Sequence, residues 1–509
     1  MDNRPGRVPC TSATAGEAAG RRRESGRHGY GRRVKLSDGL ARTVRACLRD
    51  AGYTVDAVEA RLGPAAHAAL GRHETTPAYR VTGSGDSLDT LIRLFLLQRA
   101  VPETQAGKVF PGLLAELADA GILAQHGDEV RAAIDIRPYQ DWWIAADLTP
   151  GLDGRQAPMD PDYVLGVSPA SLNLVDITVP VEVGRALDVG TGCGVQALHL
   201  SGRLSHVVGT DVNKRALELA AFTAAMNDIE VDLRKGNLFE PVKGERFDLI
   251  VSNPPFVVAP PSTGRLAYRE TGFAADAVIE LLVREAPDRL TDGGWLQTLA
   301  NWIHVRGQDW RERVGEWLGD RSAWAVQREV LGPEEYVELW LRDAGLAGTA
   351  EYAERYDAWL TWFDDQRVEA IGMGWVVLHN VAGPQTCEHW PYEIEQPLGP
   401  HILERMRIAE TVPHDARPLR LRTAADVVEE RRGAPGADDP ETIVLRRLRG
   451  MRRVEQVDTV LAGFAGACDG ELTAGQILDA LAEIVGTDTS GYTDDVRRLV
   501  VEGFLQVEV

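Results

Sequence analysis

Gly190-Thr191-Gly192-Cys193-Gly194 follows the apolar run Ala186-Leu187-Asp188-Val189 and precedes a helical pattern through Leu198 and Leu200. Glycines at this spacing allow a tight turn after a buried strand. They also let a ligand approach backbone amides at the strand end where open α/β sheets bind ligands. The spacing is GxGxG, not the GxGxxG of a dinucleotide fingerprint. A second apolar run, Val207-Val208-Gly209-Thr210, ends in Asp211, 17 residues after Gly194, with Val212 next. A carboxylate there can accept hydrogen bonds from both hydroxyls of a ribose. No pyrophosphate calls for a helix N-terminus, so a nucleoside carrying a cationic sulfonium fits better than a dinucleotide. A third run, Val231 to Arg234, leads into Gly236-Asn237-Leu238-Phe239, a position suited to polar contacts with an adenine edge. A fourth, Phe247 to Val251, runs into Ser252-Asn253-Pro254-Pro255-Phe256, where two prolines stiffen the chain.

This order of elements resembles the class I S-adenosylmethionine-dependent methyltransferases. Asn253 to Phe256 is similar to the [D/N]-P-P-[Y/F] motif of members that act on planar nitrogen: adenine N6, guanine N2 or the glutamine side-chain amide. The resemblance covers roughly residues 160–300 and 370–382 and lies nearest the release-factor glutamine and small-domain base methyltransferases. It implies S-adenosyl-L-methionine over Asp188, Gly190, Thr191, Gly192 and Gly194. The ribose falls to Asp211 and Val212, and the adenine to Asn237, Leu238 and Phe239. It makes Asn253, Pro254, Pro255 and Phe256 the catalytic group. An exocyclic nitrogen conjugated to a π-system is a poor nucleophile because its lone pair is delocalised. Asn253 Oδ1 and the Pro254 carbonyl can accept its two hydrogens, push it towards sp3 and aim the lone pair at the methyl group. Phe256 can stack on the planar group and stabilise the passing cation. The proton becomes acidic only after transfer, so Asn253 is an acceptor and positioner, and neither general base nor metal is called for. Tyr268 and Arg269, just beyond this loop, are candidates for holding substrate. The chain departs from the family at Asn237, where aspartate is usual, and in a long segment, Arg306 to Arg367, read as an insertion.

Positioning these groups requires a mostly parallel sheet with helices on both faces, expected over residues 141–400. Residues 1–36 are rich in Gly, Arg and Ser and read equally as a disordered arm or as a stretch upstream of the true start codon. Residues 37–140 read as a helical, winged-helix-like domain with an N-cap at Ser37. Leu113, Leu114 and Leu117 share a helix face there, Gly121 ends the helix, Ile122-Leu123 opens a strand, and Val130 to Ile136 forms the next. A connecting segment is expected over 401–439. A second winged-helix-like domain follows over 440–509, with a helix at Ile477 to Ile484 and Val496 to Val501 leading through Gly503 to a strand at Phe504-Leu505. The insertion 306–367 holds Trp310, Trp317, Trp324, Trp340, Trp359 and Trp362, half of the chain's 12 tryptophans. Packing against the sheet explains so many large aromatics better than a substrate cap does. Trp142-Trp143 is read the same way, and Tyr163 to Pro169 as a loop approaching the cofactor.

The 509 residues carry a net charge of −21. Residues 1–36 hold nine Lys/Arg against three acids, so the remaining body stands at −27. A body this acidic is a poor general polyanion binder. No apolar run is long enough for a membrane span, and no apolar stretch backs the Arg-rich start as a secretory signal would require. Cys10, Cys47, Cys193, Cys387 and Cys468 form no metal or disulfide pattern and fit a reducing cytoplasm. The first reading of the acceptor is a nucleic-acid base, RNA before DNA. It draws on the motif, the winged-helix-like flanks and the one dense basic cluster of the body: Arg446, Arg447, Arg449, Arg452 and Arg453. The alternatives are a protein glutamine amide and a small molecule. A non-catalytic scaffold is the remaining class, and it is disfavoured by the intact motifs. The default reading of the arginine cluster is a solvated helix face.

Overall fold

A computed structural model describes residues 36–154, 160, 162–181, 184–255, 257–260, 276–435, 440–486 and 488–508. The chain opens with helices α1 (Asp38–Asp50), α2 (Val55–Leu70), α3 (Thr76–Val81) and α4 (Ser87–Leu91), the last running into a π-helical turn, Ile92–Leu96. Ser37 caps α1 as expected, its hydroxyl oxygen accepting from the Leu40 amide at 3.2 Å. Next come β1 (Val101–Pro102), α5 (Glu103–Val109), α6 (Leu114–Asp119), β2 (Leu123–His126) and β3 (Glu129–Ala132). The three strands make an antiparallel sheet in the order β1-β3-β2.

The strand expected from Val130 to Ile136 is divided. Ile134 and Ile136 are fully buried, and the Tyr53 hydroxyl donates to the Ile136 carbonyl at 3.1 Å. That diverts the chain into a separate hairpin of β4 (Asp135–Tyr139) and β5 (Trp142–Ala146). The expected 140/141 boundary falls at the tip of this hairpin. Its second strand bonds onward: the Ala145 amide donates to Thr223 Oγ1 at 3.1 Å, and the Trp143 amide to Asn227 Oδ1 at 3.0 Å. One apolar core accordingly runs from Val44 and Phe95 through Ile144 to Leu198 and Phe222.

After α7 (Pro169–Ile177) the central sheet is built from β6 (Arg185–Val189), α8 (Val195–Ser201), β7 (His206–Asp211), α9 (Lys214–Met226), β8 (Asp232–Lys235), β9 (Phe247–Ser252), α10 (Ala277–Glu285), β10 (Leu290–Val305), α11 (Trp310–Leu318) and β11 (Arg321–Leu331). Two helices, α12 (Pro333–Asp343) and α13 (Ala350–Asp365), precede β12 (Val368–Ala382) and β13 (Gln385–His389). The strand order is β13-β11-β12-β10-β9-β6-β7-β8. β8, β7, β6, β9 and β10 run parallel, and β12 is antiparallel to both its neighbours. This is the class I Rossmann-like sheet, with β13 added at one edge.

The segment 306–367 is not an insertion throughout. It contains β11, which pairs with β12 along its whole length, and α11, which packs Trp310, Val314 and Trp317 beneath the sheet. Only 332–367 is additional. β11 and β12 are antiparallel neighbours that a tight turn would join, yet α12 and α13 are placed between them. The tryptophans pack: Trp310, Trp317, Trp324 and Trp359 are all buried.

The remaining elements are α14 (Gly399–Thr411), β14 (Arg420–Thr423), β15 (Val427–Arg432), β16 (Thr442–Arg447), β17 (Val454–Val457), α15 (Thr459–Ala467), β18 (Asp469–Thr473), α16 (Ala474–Val485), α17 (Thr493–Val501) and β19 (Leu505–Val507). The segment expected as a connector, 401–439, carries regular structure. β14 is the middle strand of a sheet ordered β18-β14-β19, and β15 pairs with β16 across the expected 439/440 boundary. The arginine cluster lies at the end of β16 and in the turn to β17, not on a helix face. Each member meets a carboxylate of the same chain: Arg446 pairs with Glu430, Arg447 with Asp426, Arg449 with Glu395, Arg452 with Glu393, and Arg453 with Glu388 and Glu502. Among the described residues no helix is long and apolar enough to cross a membrane, and no group of His, Cys, Asp or Glu has metal-site geometry.

Candidate functional site

The carboxyl ends of β6, β7 and β9 stand in register, with Val189 opposite Thr210 on one side and Ser252 on the other, and Ser252 opposite Thr298 in the middle of β10. Beyond this line the chain must turn, and the glycine loop does so against β7. The amides of Gly190 and Thr191 both donate to the Thr210 carbonyl, at 2.8 and 2.9 Å. Gly190 has φ +76°, and a Cβ placed on it would come within 4.0 Å of the Asn253 carbonyl oxygen. The glycine loop and the Asn-Pro-Pro turn are therefore neighbours. Ser252 fixes them together, its buried hydroxyl donating to the Val189 carbonyl at 2.8 Å. Gly194, at φ +89°, begins α8 so close to α9 that an added Cβ would lie 3.5 Å from that of Ala220.

Two carboxylates bond to this loop, Asp188 from β6 and Asp211 from the end of β7. Asp211 accepts from the Gly192 amide on Oδ2 at 3.0 Å and from the Asn213 amide on Oδ1 at 2.8 Å. Each oxygen keeps capacity for a further donor. Burial raises this carboxyl against those amides and that of Val212. Asp188 lies deeper, 1% exposed, and accepts from the Thr191 hydroxyl at 2.6 Å, while its Oδ1 is buried without a hydrogen-bond partner. Burial pushes the Asp188 carboxyl up to about 7 against the Thr191 bond, and the Asp211 charge adds to the rise.

A stability prediction follows from that rise. Between about pH 4 and pH 7 the folded state keeps the Asp188 proton and the unfolded chain has lost it, so this contribution falls as pH rises through that window and is flat above it. The difference in unfolding free energy between the chain and its Asp188→Asn variant should change by on the order of 4 kcal/mol across the window in urea titrations. A pH-independent difference would refute the buried, protonated carboxyl.

The other expected residues fall out unevenly. Val212 is 58% exposed beside Asp211. Asn237 opens a 3-10 turn, its amide facing Glu240 Oε2 at 3.3 Å, and Leu238 takes φ +43°. Phe239 is 2% exposed and packs with Leu187, Val189 and Val242, so its ring belongs to the core. Pro254 is buried, and Asn253 and Pro255 are half-buried. Phe256, Tyr268 and Arg269 lie outside the described residues. The 163–169 loop is stitched to the site through Asn213, whose side chain donates to the Asp162 carbonyl at 2.8 Å, and through Asp147, which pairs with Arg215 and accepts from the Val164 amide. Trp142 packs edge-on against His199, and Trp143 donates to the Tyr53 carbonyl, both away from the strand ends.

Two polar residues near the loop had no signal in the sequence. Asn301, on β10 three residues beyond Thr298, is 3% exposed, and Tyr336 on α12 is fully buried. The Tyr336 hydroxyl accepts from the Val258 amide at 2.9 Å and from Asn301 Nδ2 at 3.1 Å.

Residues 167–308 match the family described as methyltransferase small domain, and residues 50–133 match a domain of unknown function, DUF7059. The chain is 34% identical over 180 residues to a release factor glutamine methyltransferase of Geobacter sulfurreducens, covering 29% of this chain and 62% of that protein. It is 35% identical over 179 residues to ribosomal RNA small subunit methyltransferase C of Salmonella arizonae, covering 34% and 46%. A ribosomal protein uL3 glutamine methyltransferase of Bradyrhizobium diazoefficiens is 36% identical over 129 residues, covering 23% and 40%. The chain thus spans between two fifths and just over three fifths of these relatives' own lengths.

Proposed function

We propose that this chain, whose central sheet carries the methyltransferase small domain, is an S-adenosylmethionine-dependent methyltransferase acting on a planar nitrogen. The observation that carries the reading is the meeting of the glycine loop with the Asn253-Pro254-Pro255 turn at the ends of β6 and β9. The residues present fit the cofactor: each oxygen of Asp211 keeps acceptor capacity for a ribose hydroxyl beyond the amide it already holds. Gly190, Thr191, Gly192 and Gly194 would hold it from below, with Val212, Asn237, Leu238 and the backbone of Phe239 along its nucleoside. When bound, the cofactor supplies a methyl group on a positively charged sulfur. Asn253 and the Pro254 carbonyl accept the two hydrogens of the incoming nitrogen and orient its lone pair. The two prolines keep those acceptors fixed, so little reorganisation is needed when charge develops. Phe256 stacks on the planar group, and Tyr268 and Arg269 hold the acceptor. Replacing Asp211 with alanine should weaken cofactor binding about ten- to a hundredfold, the worth of ~1.5–3 kcal/mol for hydrogen bonds to a charged group. Calorimetric titration reads this directly, and an unchanged affinity would remove Asp211 from the ribose site.

For the acceptor, the charge arrangement supports a protein glutamine amide over a nucleic-acid base. All five arginines of the body's basic cluster are spent on intramolecular carboxylates. The helix that precedes β2 of the N-terminal sheet, α6, carries Glu116 and Asp119 and no base, while α17 balances Asp494 and Asp495 with Arg497 and Arg498. The base reading draws support from the likeness to the rRNA enzyme. Tritiated S-adenosylmethionine, offered with RNA, DNA, protein and small-molecule fractions of a strain lacking the gene, separates the two. Methylated glutamine in protein releases labelled methylamine on acid hydrolysis; label retained on a nucleobase would overturn the amide reading.

A further inference from the structure

The helical pair of residues 332–367 is not needed to connect β11 to β12, and its buried side meets the chain just beyond the Asn-Pro-Pro turn. Val257, Val258 and Ala259 are buried against Tyr336, Val337, Leu341 and Phe363, in one cluster with Ile303 of β10 and Ile371 of β12. Packing alone would fix the depth of this segment but not its advance along the groove. A directional contact does that: the Val258 amide donates to the Tyr336 hydroxyl, which also accepts from Asn301 of β10. β10 is hydrogen-bonded to β9, the strand that delivers Asn253. The hydroxyl therefore closes a ring from β9 through the turn to Val258, across to α12 and back through β10.

We propose that Tyr336 is a positioning residue for the acceptor turn, holding the 253–259 segment at the height from which Asn253 and Pro254 meet the acceptor nitrogen. The inference rests on the methyltransferase reading for its effect on turnover, but not for the contact itself. The anchor lies five residues from Asn253, and Pro254 and Pro255 between them have fixed φ, so an anchor at Val258 is felt at Asn253. Phenylalanine at 336 keeps the ring's packing and deletes the acceptor that the Val258 amide and the Asn301 side chain donate to.

The test uses the full chain and two readouts. In hydrogen–deuterium exchange, a peptide from Ser252 to Pro261 reports the amides of residues 256–259 alone, since prolines have none and the first two amides of a peptide are lost. Tyr336→Phe should speed exchange in that peptide at least tenfold, lower kcat about tenfold, and leave the affinity for S-adenosylmethionine within twofold. Val337→Ala, which removes packing beside the same loop and keeps the hydroxyl, should lower the thermal midpoint more yet hold kcat within twofold. If Tyr336→Phe fails to fold, Asn301→Ala loosens the hydroxyl from its other side and should give the same pattern more weakly. Unchanged exchange in the peptide overturns the proposal, as does faster exchange with unchanged kcat, or a larger kcat loss in Val337→Ala. Should no fraction accept a methyl group from the unaltered chain, the methyltransferase reading falls, and the exchange result still decides whether Tyr336 holds the turn.

Discussion

Asn253→Ala should lower turnover by about a hundred- to a thousandfold, the range seen when one preorganised polar partner of a transition state is removed. The affinity for S-adenosylmethionine should stay within twofold, because the side chain lost is not one of those proposed to hold the cofactor. The backbone of the turn should also survive. Its approach to Gly190 is made by the Asn253 carbonyl, and its link to β6 by the Ser252 hydroxyl, neither of which the substitution touches. Asn253→Asp keeps an acceptor in place and should retain far more activity. Single-turnover transfer of tritiated methyl, beside calorimetric cofactor titration, separates the two effects. Full turnover in the alanine variant would defeat the planar-nitrogen mechanism.

The largest stability effect is expected at Arg453. Its guanidinium meets both oxygens of Glu388, at 2.6 Å each, and its Nε lies 2.8 Å from Glu502, with side chains 10%, 20% and 13% exposed. Arg405 closes the network, pairing with Glu502 at 2.8 Å and lying over the Trp324 ring at 4.1 Å. Burial alone would raise the Glu388 carboxyl, but the Arg453 and Arg405 charges and the Trp324 indole together hold it below its ordinary value. Glu388 lies on β13, the edge strand of the central sheet, whereas Glu502 caps the end of α17, so one guanidinium joins the sheet to the C-terminal elements. Arg453→Ala leaves Glu388 without its ion-pair partner and Glu502 with Arg405 alone, in a poorly hydrated place, which destabilises by about 3–5 kcal/mol. Scanning calorimetry should record a lower transition, with the C-terminal elements melting apart from the sheet. Arg449→Ala is the contrast: that side chain is 67% exposed, and its loss should be worth less than ~1 kcal/mol. Equal effects at the two positions would mean the buried network does not join these parts.

The glycine loop, Asp211 and the Asn-Pro-Pro turn were readable because each sits where a short strand ends, and its neighbours in sequence dictate its geometry. Ser37, Gly121 and the tryptophans of 306–367 were readable for the same local reasons. What could not be read depends on partners distant along the chain. The arginine cluster looked free because its carboxylates come from Glu388 to Glu502. β14 looked like part of a linker because four polar-flanked residues, Arg420–Thr423, form a strand only between β18 and β19. β11 looked like insertion because its partner β12 follows 36 residues later. Tyr336 carried no signal at all: its hydroxyl matters through Val258, 78 residues away.

The placement of β12 also sets the order in which the chain can be completed on the ribosome. β10 emerges first, then β11, yet the two never touch; each must wait for β12 to slide between them. Sixty-two residues separate the end of β10 from the start of β12, roughly 3–12 s of synthesis at 5–20 residues per second. For that interval the long apolar edge from Trp295 to Ile303 has no strand beside it. A nascent chain holding such an edge is open to pairing with another copy of itself, so the helical pair that packs on residues 257–259 also lengthens the period of greatest aggregation risk.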